Sequence, residues 1–145
     1  MTRPEITEAI LAAKQAKGLS YQAIADAVGR NVVWTTAALL GHAVMDEAEA
    51  TKVVELLEVG WDVGFALQQR EGTPTEMPPT DPLIYRFHEI VQEYGGTLRE
   101  LIREQFGDGI MSAIDFTMNI ERVPNPKGDR VRVTMEGKFL PYVKW

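Results

Sequence analysis

The segment Tyr85-Arg86-Phe87-His88-Glu89 carries a guanidinium and a carboxylate three residues apart, so on a helix the two share one face. In one reading they form a solvated ion pair worth about 0.3 to 0.5 kcal/mol. In the other, Arg86 holds a small anion with its planar donor fork while Glu89 orients it or handles a proton. Spacing alone is compatible with both. A second candidate is Ser112, in Gly107-Asp-Gly-Ile-Met-Ser-Ala113. The glycines there permit close backbone approach and positive φ, so backbone N–H groups beside the serine could face a ligand. The alternative for Ser112 is an ordinary loop serine or a helix cap.

Other chemistries have no residues to perform them. The chain has no cysteine, which removes disulfides, thiolate nucleophiles, thiolate zinc sites and iron–sulfur clusters together. Its two histidines, His42 and His88, stand on separate segments without a local acid-rich cluster, so no metal site is expected. Gly107-Asp-Gly109 is followed by Ser112 rather than a third glycine, and no Gly-x-x-x-x-Gly-Lys occurs, so nucleotide phosphate loops are not expected either.

The formal charge is −6, from 15 basic and 21 acidic residues. Such a surface field repels polyanions, and no nucleic-acid or membrane partner is expected, although one buried Arg can still hold a small anion locally. The chain opens with acids where a signal peptide would be basic and then apolar, and no apolar run approaches the ~18 residues of a membrane span. The expectation is a soluble, cytoplasmic protein.

Helices must position most of these groups. Residues 5–16 place Ile6, Ala9, Ile10, Ala13 and Ala16 at the three-and-four spacing of an amphipathic helix ending near Gly18. Ser20 reads as the N-cap of a helix over 21–28 closed by Gly29. Asn31 opens another through Leu40, and Asp46 caps a fourth to about Glu58.

Ser20 to Gly29 followed by a helix resembles a helix-turn-helix unit. A DNA reader of that kind places Arg, Lys, Asn or Gln on its second helix. Here that helix reads Asn31-Val-Val-Trp-Thr-Thr-Ala-Ala-Leu-Leu40, with Arg30 as its one flanking base. Residues 1–73 hold 6 basic and 10 acidic groups, a net of 6 − 10 = −4. Trp34, Ala37, Ala38 and Leu40 read as packing residues, and this bundle, residues 1–72, as structural or oligomerising.

Residues 73–82 contain four prolines in ten, so 73–81 reads as a linker. Asp81-Pro82 then starts a helix with an apolar stripe of Ile84, Phe87, Val91 and Tyr94. Gly95-Gly96 is expected to interrupt it, and Thr97-Leu-Arg-Glu100 to cap another helix running to about Phe106. Phe116, Met118 and Ile120 alternate with polar residues, a Pro124 to Asp129 turn follows, and Val131, Val133 and Met135 alternate again, a β-hairpin. Two strands alone are marginal in water, so this hairpin must pack on helices or pair with a second chain.

Thr80-Asp-Pro-Leu-Ile-Tyr-Arg-Phe-His-Glu89, Tyr94-Gly-Gly-Thr-Leu98, Phe106-Gly-Asp-Gly-Ile-Met-Ser-Ala-Ile-Asp115 and Gly137-Lys-Phe-Leu-Pro141 closely resemble the cyanase family. Ala37-Ala-Leu-Leu-Gly41 extends the likeness into the amino-terminal region, while His88 stands where a tyrosine is familiar. The resemblance implies a cytosolic lyase that converts cyanate and bicarbonate to ammonia and carbon dioxide through carbamate, with no metal or organic cofactor. It maps catalytic roles onto Arg86, Glu89 and Ser112, and substrate contacts onto Ile110, Ala113 and Leu140.

The resemblance also implies a homodecamer of five dimers with sites at subunit interfaces. The fold class it suggests is α+β: the helix-turn-helix-like bundle, then a catalytic helix plus β-hairpin domain over 82–145 that intertwines in a dimer. The competing function is a helix-turn-helix transcription regulator with a small-anion-sensing dimerisation domain.

Overall fold

The computed structural model describes residues 1–71 and 80–145, which form six helices and one two-stranded antiparallel sheet. Most of the residues expected as a proline-rich linker, 73–81, lie outside the described residues. The chain divides into two compact units. One is Met1–Thr73 with Met118–Thr134, the other Pro74–Thr117 with Met135–Trp145.

Local capping chemistry sets the helices of the first unit. α1 (Arg3–Ala16) has Pro4 in its first turn, and the Glu5 carboxylate accepts the Thr2 N–H at 2.6 Å. In α2 (Tyr21–Val28), Ser20 Oγ accepts the Ala23 N–H at 3.0 Å, and Gly29 closes the helix at φ 83°. Asn31 Oδ1 accepts the Val33 N–H at 2.8 Å to open α3 (Val32–Leu39). Asp46 and Glu49 exchange side-chain and backbone bonds at 2.8 and 3.0 Å to open α4 (Glu47–Leu57).

A further helix, α5 (Trp61–Leu67), was not legible, being only seven residues long with a glycine inside it. It supplies Val63 and Leu67 to a core that also holds Ile6, Ile10, Ile24, Val28, Met45, Val53 and Leu57. On α3 the buried side chains are Thr35, Ala38 and Leu39, with Trp34 and Ala37 partly buried. Leu40, expected to pack, is instead 37% exposed, because the helix ends at Leu39 and Leu40 is its C-cap.

The second unit departs from expectation at Gly95-Gly96. α6 is one continuous helix, Pro82–Phe106, and the Thr97 capping box does not form. Two helical glycines cost about 1 kcal/mol each relative to alanine. Breaking the helix would strand several N–H and C=O groups and require a second nucleation. The intact helix keeps Ile84, Phe87, Val91, Tyr94 and Leu98 on one stripe.

The hairpin pairs β1 (Gly109–Val123) with β2 (Arg130–Pro141) through a turn in which Asn125 O accepts the Gly128 N–H. β1 begins well before the alternating run at Phe116 that announced it. The chain alone leaves much apolar surface uncovered: α6 buries no residue, Val91 is 62% exposed and Ile114 98%. An exposed apolar stripe of this extent is rare on a monomeric protein.

Candidate active site

Arg86 and Glu89 owe their placement to the start of α6. Asp81 Oδ1 accepts the N–H groups of Leu83 and Ile84, both at 2.9 Å, and Pro82 fixes the first helical φ. One turn on, Arg86 Nη1 donates to Glu89 Oε2 at 2.6 Å. The side chains are 66% and 40% exposed, so within one chain this is the solvated pair of the simpler reading. That bond engages one of five guanidinium donors and leaves the others for a second acceptor.

Ser112 is a different case. It lies on β1 rather than in a loop, it is buried at 7% exposed, and its Oγ accepts the N–H groups of Ile114 at 3.1 Å and Asp115 at 2.9 Å. Two consequences follow. Those two backbone donors are turned onto the serine itself and are not presented to a ligand. With its acceptor capacity taken up, the hydroxyl acts towards a ligand as a donor.

Ile110 and Ala113 flank Ser112 on β1, and both are exposed. Leu140 lies near the end of β2 at 38% exposed. The Tyr142 N–H donates to Asp108 O at 3.1 Å, which holds this end of β2 beside the start of β1. The structure therefore gathers Ser112, Ile110, Ala113 and Leu140 on one hairpin, and Arg86 with Glu89 on α6. Among the described residues no hydrogen bond joins the two groups.

The helix-turn-helix region is poorly equipped for nucleic acid. Arg30, the base flanking α3, donates to the buried Glu49 carboxylate at 2.5 Å and stacks over Trp34. Its guanidinium is thus paired with Glu49, although the side chain stays 56% exposed. Arg3 escaped sequence reasoning: its Nη2 donates to Ala38 O at 3.1 Å and Leu39 O at 2.8 Å, closing the last carbonyls of α3. Burial holds its pKa below the ordinary arginine value, opposed by the charge of Glu71. Nothing in the local sequence distinguishes this arginine from a surface one.

Among the described residues no group of three or more His, Asp or Glu side chains converges as a metal site, and no helix is long and apolar enough to cross a membrane.

Residues 76–144 match the family model described as the cyanate lyase C-terminal domain, and residues 3–69 match that of the cyanate hydratase N-terminal region. A cyanate hydratase of Mycolicibacterium vanbaalenii is 53% identical over 98% of this chain and 94% of its own length. One from Marinomonas sp. is 51% identical over the whole of both chains. The crystal structure of cyanase from T. urticae superposes with a TM-score of 0.84 at 38% identity, covering 94% of this chain and 96% of that one.

Proposed function

The chain belongs to the cyanate hydratase family, and from that premise we propose that it decomposes cyanate with bicarbonate as second substrate, without a metal or organic cofactor. In balance, cyanate, bicarbonate and one proton give carbamate and carbon dioxide. Carbamate with a further proton then breaks its C–N bond to ammonia and a second carbon dioxide. The observation that carries this reading is the match of both halves of the chain to family models for this activity. The regulator alternative is not favoured, since no part of the match is to a regulator and Arg30 is occupied by Glu49.

The physical difficulty is to hold two anions together against their repulsion, which requires positive charge fixed beforehand in a water-poor pocket. Arg86 supplies that charge. The 2.6 Å bond that Glu89 accepts from Arg86 supports an orienting role for the carboxylate, which holds the guanidinium plane while other donors face the anions. Proton delivery to nitrogen is the second role open to Glu89. The Ser112 hydroxyl donates to the dianion formed when a bicarbonate oxygen adds to the cyanate carbon, beside the Ala113 N–H. Ile110 and Leu140 form apolar walls that keep water out.

Arg86 is too exposed in one chain to work in such a pocket. The reading therefore includes self-association through the apolar face of α6 and the hairpin, as a homodecamer of five dimers with sites at subunit interfaces. Residues 82–145 carry catalysis and dimerisation, residues 1–72 the supporting bundle. We place the protein in the cytoplasm, whose reducing conditions suit a chain without cysteine.

The stoichiometry tests the reaction. With isotopically labelled bicarbonate, each ammonia released should be accompanied by two carbon dioxide molecules, one of them labelled. One unlabelled carbon dioxide per ammonia would mean simple hydrolysis and overturn the role of bicarbonate.

A further inference from the structure

The strands of the hairpin run close together beside Ser112. A Cβ placed on Gly137 would lie 2.5 Å from the Ser112 carbonyl oxygen and 2.6 Å from Met111 Cγ, nearer than a carbon can approach. The Met111 side chain can swing away. The carbonyl cannot, because it is main chain of the residue whose Oγ holds the Ile114 and Asp115 N–H groups. Moving it rotates the peptide that carries the serine. At the turn the constraint is absent: a Cβ on Gly128 meets nothing within 4 Å, although its φ of +117° makes any side chain there strained, whereas a Cβ on Gly109 would collide with the Leu140 carbonyl oxygen and the Phe139 ring.

We propose that Gly137 is a positioning residue for the reaction, whose missing side chain lets β2 pass the Ser112 carbonyl and so fixes where the serine hydroxyl points. The proposal rests on the reading that Ser112 donates to the reacting anions. Gly137 itself touches no substrate. It acts through Ser112, and the backbone contact makes even one methyl group consequential.

The test compares assembled enzymes in ammonia release. Gly137→Ala should lower kcat/KM at least about tenfold, whereas Gly128→Ala, which strains the same hairpin away from Ser112, should stay within about twofold. In a Ser112→Ala background, adding Gly137→Ala should cost less than about twofold, since the group through which it acts is gone. Hydrogen exchange over residues 112–116 should be faster in Gly137→Ala than in the parent, because the serine-centred turn is displaced.

A Gly137→Ala enzyme with near-parental kcat/KM overturns the proposal, as do equal losses with and without Ser112. Should Ser112→Ala be too slow to compare, unchanged exchange over 112–116 overturns it alone. If Gly137→Ala fails to assemble, Met111→Ala/Gly137→Ala against Met111→Ala removes the side-chain clash and retains the one with the carbonyl. A Ser112→Ala enzyme as active as the parent would instead reject the reading of Ser112 itself.

Discussion

Arg86 Nη1 lies 2.6 Å from Glu89 Oε2 one turn further along α6, and the chain that carries them leaves Arg86 exposed and Glu89 only half-buried. A pair this exposed contributes a few tenths of a kcal/mol to stability at most. On the proposed reading its worth lies in the reaction. Arg86→Ala is expected to leave folding and assembly intact and to lower kcat/KM by roughly 30- to 5,000-fold, the equivalent of about 2 to 5 kcal/mol for stranding a desolvated charge partner. Arg99→Ala removes an arginine that is 63% exposed and only 3.4 Å from Glu100, and should change kcat/KM less than about twofold. Steady-state ammonia release distinguishes them.

Glu89→Gln separates the two roles of the carboxylate. Gln keeps an acceptor for Arg86 but cannot exchange a proton. If Glu89 orients, the variant should retain measurable kcat with the pH dependence of the parent. If it transfers a proton, kcat should fall and one limb of the pH–rate profile should vanish.

The stripe on α6 can be tested without chemistry. Val91 is 62% exposed in one chain, and Val91→Asp would bury an unpaired carboxylate in any interface that covers it. Sedimentation should show a smaller assembly and lost activity. An unchanged mass at low micromolar concentration would place the association surface elsewhere.

Two buried polar groups of the first unit should respond in opposite directions. Arg3→Ala removes both bonds to the end of α3 and should destabilise by about 1 to 3 kcal/mol. Thr35 is wholly buried, and among the described residues its hydroxyl has no hydrogen-bond partner. Thr35→Val keeps the shape and removes the stranded group, so it should be neutral or stabilising by up to about 1 kcal/mol. Denaturant midpoints measure both, and a marked loss in Thr35→Val would reveal a partner for the hydroxyl.

The first turn of α1 predicts a pH dependence. Hydrogen bonds from the Thr2 N–H, and then from its hydroxyl, hold the Glu5 carboxyl below the usual carboxylate range. A folded-state pKa lowered in this way gives stability that is present above the unfolded value, about 4.3, and lost as pH falls through the folded one. Glu5→Gln should therefore melt slightly below the parent at pH 7, and the gap should close on acidification below about pH 4. A gap that persists at pH 2 would mean that the charge of Glu5 is not its source.

What was legible in the sequence was the chemistry of short range. Ser20, Asn31, Asp46 and Asp81 each make the cap that their type and position announced. The Arg86 and Glu89 pairing followed from helical spacing alone. What escaped depends on competition between distant or summed effects. Gly95-Gly96 looked like a break because each glycine disfavours a helix, yet the cost of two new helix ends exceeds that penalty. α5 has too few residues to display a period. The Ser112 turn places a side chain against its own strand, and Gly137 reveals its part only once β2 lies against β1, 25 residues further along the chain. The glycines around Ser112 marked it as a candidate, whereas Ile110, Ala113 and Leu140 came only from the motifs resembling a known family.

Ammonia release from the purified protein given cyanate, with and without added bicarbonate and after treatment with a chelator, tests the central claim most directly. The account predicts release that requires bicarbonate and survives chelation. Absence of release from a folded, oligomeric sample, or release indifferent to bicarbonate, would contradict it.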